Sequence, residues 1–497
     1  MEFSWQAVLS MVFTWEVLLA IIGGTLLGLI VGALPGLGSP TGMAIMLPLA
    51  FRLEPVTAVA LLSSMWASAI YGGSWTAILV NVPGESMSVA TAMDGFPMAK
   101  QGRAMEALGA ATAASFVGGL LGVLVLIIGA PFLIDYVLEF GPPEYVWVNL
   151  FALVIIALAQ QKGQMLKGLV AASLGLSISL VGIDQVIGIP RYTFGSLYLQ
   201  SGISFVVAMV GLFGFAEVIA MVRDKGAVSE ANSLRGNLWT GVGAVFHHWR
   251  TVLLGAGMGG VIGILPGIGG SAANLLAYSE AQRRSKHPET FGKGNVEGVI
   301  ASESANNAIQ GTALIPSLTL GIPGSSSAAI LLLALIMQGF QPGRSLFSQN
   351  GDLVGAFFLV LILAQFAMLL GGLATLRALS LITLIPREML VVGVAAICFV
   401  GVYSVNNSLW DVLVAVLFGY LGFFMRNQGY PVVGLVVGLI LGAMTEQAFI
   451  QSLQISDGNY SIFFTRPVSL VLIGLILLFT VLRNVQEWKQ RQTTVAS

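Results

Sequence analysis

The chain has 497 residues, 56% of them hydrophobic and only 9% charged, with a formal net charge of −1 and a mean hydropathy of +0.89. A water-soluble domain carries about 25% charged residues, so the composition excludes a soluble globular protein, and the near-neutral balance argues against a nucleic-acid surface. The composition is that of an all-α polytopic membrane protein, and its 61 glycines suit close helix packing in lipid.

In chain order, Met1–Trp15 holds no Lys or Arg. It lacks the basic start of a secretory signal and reads as an interfacial lead-in to the first helix. Apolar runs long enough, or nearly so, to span a bilayer cover 55–83, 104–131, 145–160, 165–182, 202–222, 296–322, 352–376, 388–405, 408–425, 429–445 and 467–484. About eleven spanning helices are therefore predicted. Segments 17–51 and 251–281 are also apolar, but each is interrupted. The first contains Gly32-Ala33-Leu34-Pro35-Gly36-Leu37-Gly38, and the second contains Gly263-Ile264-Leu265-Pro266-Gly267-Ile268-Gly269, offset by 231 residues. A second pair follows, Val82-Pro83-Gly84-Glu85-Ser86 and Ile322-Pro323-Gly324-Ser325-Ser326, offset by 240.

Pro-Gly in apolar surroundings breaks a helix, and matched broken helices in a membrane protein point to a transport site. The arms 251–265 and 270–281 are too short to cross, so a re-entrant hairpin is predicted there. The first arm of 17–51 is longer, and a complete span fits it as well. Loop charge orients these elements. Lys100, Arg103, Lys162, Lys167, Arg223, Lys225 and Arg235 mark cytoplasmic loops in the first half, and Arg283, Arg284, Lys286 and Lys293 mark one in the second. The loop 132–144 holds only acidic charges and falls outside. Arg52 and Arg344 run against the bias. Hairpin 251–281 then enters from the cytoplasm and 17–51 from the periplasm, which makes an inverted-topology repeat. The alternative is two similar Gly-rich helices in one bundle. The organisation is an N-terminal repeat over 1–222, a cytoplasmic linker over 223–250, a C-terminal repeat over 251–484 and a cytoplasmic tail over 485–497. His247 and His248 in the linker have no Cys or carboxylate at metal spacing and read as surface residues, and Cys398 in an apolar run reads as packing.

The polar residues concentrate at the breaks. Gly36, Gly38, Ser39 and Thr41 follow the first, and a helix restarting near Pro40 would turn N–H groups toward mid-membrane. Gly267, Gly269, Ser271 and Asn274 follow its partner. Ser74 and Asn81 lie before the Pro83-Gly84 break, and Ser325, Ser326 and Ser327 follow Pro323-Gly324. Hydroxyls and backbone N–H groups would hold carboxylates here. Carbonyls with Asn81, Asn274, Glu303 and Asn307 would hold a cation. Glu303 and Asn307 are four apart and share a helix face, and a glutamate within a span is costly and usually functional. Glu297 reads as a solvated helix start, and Asp94 in Asp94-Gly95-Phe96-Pro97 as an interface or turn residue. No Gly-x-x-x-x-Gly-Lys-Ser/Thr loop, His-Glu-x-x-His helix or Ser/His/Asp set occurs. An enzyme is not predicted, no cofactor is called for, and the energy must come from an ion gradient or a partner.

These stretches, with Tyr71-Gly72-Gly73-Ser74 through Asn81-Val82-Pro83-Gly84, Gly102-Arg103, Glu297-Gly298 and Glu303-Ser304-Ala305-Asn306-Asn307 to Leu320-Gly321-Ile322-Pro323-Gly324, stand in an order that resembles the TctA family, the large membrane subunit of the tripartite tricarboxylate transporters. The resemblance implies a secondary importer of the bacterial inner membrane. It implies a periplasmic substrate-binding protein and a small four-helix, TctB-like membrane subunit as partners. Citrate-like organic acids are the implied substrates, with Na+ or H+ as coupling ion. Glu85 departs from the small residue expected after the first Pro-Gly and alters the charge of the pocket. An ion-conducting channel, or a permease for another small solute, is the alternative function.

Overall fold

A computed structural model describes residues 3–34, 36–137, 140–158, 165–184, 188–223, 234–265, 270–379 and 387–495. The described chain is helical apart from a short antiparallel pair, Gly182–Ile183 with Pro190–Arg191. The first half holds α1 (Trp5–Val12), α2 (Trp15–Ala33), α3 (Ser39–Ala50), α4 (Pro55–Val80), α5 (Val89–Lys100), α6 (Ala104–Val137), α7 (Pro142–Leu158), α8 (Met165–Ser179) and α9 (Phe205–Arg223). A linker helix, α10 (Leu238–His247), leads to α11 (Trp249–Ile264), α12 (Gly270–Arg284), α13 (Val296–Thr312), α14 (Leu314–Leu320), α15 (Ser326–Met337) and α16 (Gly351–Leu379). The chain closes with α17 (Arg387–Asn406), α18 (Leu409–Asn427), α19 (Val432–Ile455) and α20 (Pro467–Val495).

Eight of these helices are long and apolar enough to cross a bilayer: α2, α4, α6, α9, α16, α17, α18 and α19. The protein is thus an all-α, multi-pass membrane protein, as the composition predicts. The run 296–322 is split into α13 and α14, because Pro316 has no N–H to give the carbonyl of Thr312. In the other direction, α2, within a segment read as a hairpin, reaches spanning length. The tail read over 485–497 continues α20 as helix to Val495.

The core is built on α4 and α13. In α4 the spanning window is fully buried. Helix α2 lies against it through three glycines at four-residue spacing. A Cβ on Gly24, Gly28 or Gly32 would sit 2.3, 2.4 or 2.1 Å from the carbonyl oxygens of Leu61, Met65 and Ala69. Only a residue without a side chain allows backbones this close. Helix α11 meets α13 in the same way. A Cβ on Gly255 or Gly259 would sit 2.6 or 2.2 Å from the carbonyl oxygens of Ala301 and Ala305, and one on Gly263 would meet Thr312 and Ile309. Each contact of the second set is the first shifted by 231 residues in the hairpin and 240 in the span. The two halves also cross. Helix α6 packs on α13, with Gly118 and Gly122 against the carbonyls of Ser304 and Ala308, and α16 packs on α4, with Gly372 against the Tyr71 ring.

The breaks repeat in detail. Helix α4 ends at Asn81 with φ 58°, and α14 ends at Gly321 with φ 75°. Just beyond, Val82 N–H bonds the Thr76 carbonyl at 3.3 Å and Ile322 N–H bonds the Pro316 carbonyl at 3.1 Å. Gly84 then faces the Gly32 carbonyl and the Gly73 Cα, as Gly324 faces the Gly263 carbonyl and the Ala313 Cα. Helices α7, α8, α19 and α20 form an adjoining layer, where Arg466 of the α20 entrance bonds Glu144 of α7 at 2.8 Å.

Candidate functional site

The polar groups of the four breaks meet in one buried cluster. Its centre is the loop Glu85–Ser88, which leads from the first Pro-Gly break into α5. Ser39, the first residue of α3, donates to Glu85 Oε1 at 2.7 Å. That commits the Ser39 proton, so in the 3.0 Å contact between Ser39 and Ser327 it is Ser327 that donates. On the other side of the loop, Asn274 Nδ2 of α12 donates to the Met87 carbonyl, and Gly270 faces the Met87 side chain so closely that a Cβ would collide with its sulfur. Ser39 and Gly270 are offset by 231, and Ser327 and Met87 by 240. Each hairpin therefore sets the start of its second arm on the break of the opposite half.

One turn deeper lies Glu303, fully buried on α13. Ser74 of α4 donates to its Oε1 at 2.5 Å, Thr91 of α5 donates to the same oxygen, and Ser115 of α6 donates to Oε2 at 2.8 Å. Ser88 adjoins Ser74 at 3.3 Å and joins the two parts of the cluster. Three hydroxyl donors from the first half thus satisfy a carboxylate of the second. Hydrogen bonds to a charged group are each worth about 1.5–3 kcal/mol, so Glu303 ties four helices together.

Beside these satisfied groups lie unsatisfied ones. Glu85 is 6% exposed and its Oε2 has no hydrogen-bond partner among the described residues. The same holds for Asn274 Oδ1 and for both amide atoms of Asn306 and of Asn307, all buried. Leaving a buried polar group unpaired costs about 1–3 kcal/mol.

The other predicted residues fall as follows. Gly38 caps α3, and a Cβ there would touch the Glu85 side chain at 3.4 Å. Thr41 is buried in the first turn of α3. Pro40 carries no N–H and those of Thr41 and Gly42 bond the Gly38 carbonyl, so this helix start offers hydroxyls more than the free N–H groups expected of it. Gly36, with φ 92°, lies against Glu217, which pairs with Arg426 at 2.7 Å, and so sits beside a structural ion pair. Ser325 caps α15 by accepting from Ala328 N–H at 3.1 Å, and Ser326 and Ser271 are half-buried. Asn81 is exposed, outside the cluster, and its left-handed backbone accounts for an asparagine there. Pro35, Pro266, Gly267, Ile268 and Gly269 lie outside the described residues.

Sequence reasoning missed Thr91 and Ser115 as partners of Glu303. Asp94 proves to be an inter-half fastening. It is fully buried and accepts from Tyr278 Oη, Gly294 N–H and Asn295 N–H, each at 2.8 Å, which anchors the starts of α13 and the end of α12 to α5.

Residues 18–437 match the Tripartite tricarboxylate transporter TctA family. The chain belongs to the TctA family. Two relatives from Agrobacterium vitis are similar to it. An uncharacterized 52.8 kDa protein of the TAR-I ttuC' 3' region is 37% identical over 458 residues, covering 91% of this chain and 90% of the relative. An uncharacterized protein of the TAR-II ttuC' 3' region is 33% identical over 224 residues, 45% of this chain and 93% of the relative. As a TctA protein, the chain is the membrane-embedded subunit of a tripartite tricarboxylate transporter, and the family implies a binding protein and a small membrane subunit beside it. The family match spans both hairpins and both breaks, so every residue of the cluster lies within it.

Proposed function

We propose that this TctA protein imports organic di- or tricarboxylate anions by cation-coupled alternating access in a bacterial inner membrane. Sodium is the favoured coupling ion, and a periplasmic binding protein delivers the substrate. The observation that carries this reading is the reciprocal docking of each hairpin on the opposite break, with unpaired buried oxygens and amides beside it. Hydroxyls of Thr41, Ser271, Ser325 and Ser326, joined by Ser39, Ser74 and Ser327 once their present bonds are released, would offer donors to carboxylates, and the sequence positions of Gly36, Gly38, Gly267 and Gly269 would add backbone N–H groups. Glu85 Oε2, Asn274 Oδ1 and the Asn307 amide offer oxygens to a cation, a hard ion that prefers such ligands, with Glu303 fixing the geometry behind them. Irregular backbone persists at membrane depth only where protein buries it or where it lines a cavity. The opposite membrane orientation of the two halves follows from loop charge, and is what would let one cluster open to either side.

The test is uptake of radiolabelled citrate into proteoliposomes, with and without a sodium gradient and the binding protein. Saturable uptake driven uphill by sodium is expected, and gradient-independent conductance would favour the channel alternative. Asn307→Ala and Ser74→Ala are expected to reduce sodium-driven uptake at least tenfold. Wild-type uptake by either variant would remove that residue from the site.

A further inference from the structure

A large cavity lies away from the transport cluster, at the feet of the α11–α12 hairpin. Its volume is about 1160 Å³, above the roughly 300–1,000 Å³ of ordinary small-molecule pockets. All three histidines of the chain, His247, His248 and His287, line it, together with Arg103, Arg250, Arg284 and Lys286. Glu297 is the one carboxylate among the lining side chains. It is already occupied, by His248 Nδ1 at 2.7 Å and Ser285 Oγ at 2.5 Å. Arg103 is held by Glu106, and Arg284 by Glu280. The Arg283 and Arg284 guanidiniums hold the Glu280 carboxyl below its ordinary range. Among the described residues, no carboxylate lies within ion-pair distance of Arg250 or Lys286. The wall therefore presents uncompensated cations and neutral donors, the chemistry that takes a phosphate.

The rim says where that phosphate comes from. Trp249 and Leu253, part of the lining, are about half exposed. The adjoining α10 turns Gly241 and Val245 inward and leaves Trp239 and Phe246 exposed at 67% and 70%. An amphipathic helix with outward aromatics, next to a basic cavity, is the pattern of an element lying in the membrane interface, and basic pockets between helices at that level bind anionic headgroups. A soluble anion would need the cations but not the aromatic rim. We infer that this cavity is a binding site for the headgroup of an anionic glycerophospholipid, whose phosphate meets Arg250 and Lys286 while its acyl chains lie along Trp249, Leu253 and the outer face of α10.

The site touches both ends of the hairpin, since Arg250 opens α11 and Arg284 closes α12. A bound lipid would hold the two feet together without contacting the transport cluster.

The test uses the full-length protein in phosphatidylcholine nanodiscs with or without phosphatidylglycerol, and reads co-purified phosphatidylglycerol by mass spectrometry. Wild type is expected to retain phosphatidylglycerol through delipidating washes. The Arg250→Gln/Lys286→Gln variant is expected to retain it roughly thirtyfold less, about what two basic residues near a charged surface contribute. Arg235→Gln, an exposed arginine outside the cavity, should retain it as wild type does. Elution volume and melting temperature in pure phosphatidylcholine check that the double variant is folded. Equal retention by the folded double variant overturns the inference, as does full displacement of the lipid by inorganic phosphate, which would make the site one for a soluble anion. A double variant that fails to fold is replaced by Lys286→Gln alone, which should still retain several-fold less, and wild-type retention by it also overturns the inference.

Discussion

The two halves share one backbone plan and divide the chemistry unequally. At the equivalent break, the first half places Glu85 where the second has Ser325. At the equivalent turn of the span, the second places Glu303 where the first has Ser63. Glu303 is answered by three hydroxyls of the first half, whereas the Ser63 hydroxyl bonds the Val59 carbonyl of its own helix at 2.5 Å, and only the Ser63 backbone carbonyl meets the second half, accepting from Gln310 Nε2 at 2.8 Å. Glu85 keeps one oxygen unpaired. The comparison teaches that the repeat fixes where groups can stand, and that departures from the repeat mark the groups given a task. One carboxylate fastens, the other is left available.

Four comparisons probe that division. The largest effect is expected where the shared backbone plan is tightest. Gly84→Ala would put a Cβ 2.0 Å from the Gly32 carbonyl, against 2.8 Å for Gly324→Ala and the Gly263 carbonyl. Backbone on both sides cannot yield, so Gly84→Ala should lose roughly 3 kcal/mol, the upper end of overpacking costs. Gly324→Ala should lose clearly less, read as melting temperature in detergent. Equal melting points would mean the halves are not packed as unequally as these distances imply.

Next, Glu303→Gln removes the charge that three hydroxyls address and should cost about 2–3 kcal/mol, with loss of uptake. Ser63→Ala, at the equivalent position, should cost under about 1 kcal/mol. Third, Glu85→Ser makes the first break copy the second. It should leave folding intact and raise the sodium concentration needed for half-maximal uptake about tenfold, near 1.4 kcal/mol of lost binding. An unchanged sodium curve would leave Glu85 with a purely structural bond to Ser39. The smallest effect is expected at Asn81. Asn81→Gly copies Gly321 and should be neutral, while Asn81→Ala should cost about 1–2 kcal/mol for a left-handed backbone. Loss of uptake in Asn81→Gly, with normal melting, would restore the asparagine side chain as a cation ligand.

Much of this was legible in the chain. The two offsets, 231 and 240, reappear as matched contacts from Gly24–Leu61 and Gly255–Ala301 through to the two break glycines. Pro83-Gly84 and Pro323-Gly324 end helices because proline withholds a donor and the preceding left-handed residue turns the chain. The partners of Glu303 were not legible. Sequence periodicity reports which face of a helix is apolar, but not which helix 188 or 212 residues away packs on it, so Ser115 and Thr91 looked like any hydroxyls in a span. Asn81 misled for a related reason. An asparagine suits both cation coordination and a left-handed turn, and only the backbone angle separates the two. The crossing of each hairpin to the opposite half was equally hidden, because nothing local to residues 39 or 270 names residues 327 or 87.

The glycines of α2 meet the carbonyls of α4 at every fourth residue, and those of α11 meet α13 at nearly the same interval. Such a row works like a rack with teeth one helical step of about 6 Å apart. A hairpin cannot creep along its span by an ångström or two, since any partial shift drives a Cα or a neighbouring side chain into a carbonyl. Under the alternating access proposed above, hairpin and span would therefore travel as a single piece, and the sliding surfaces would lie elsewhere, where side chains and not backbones meet.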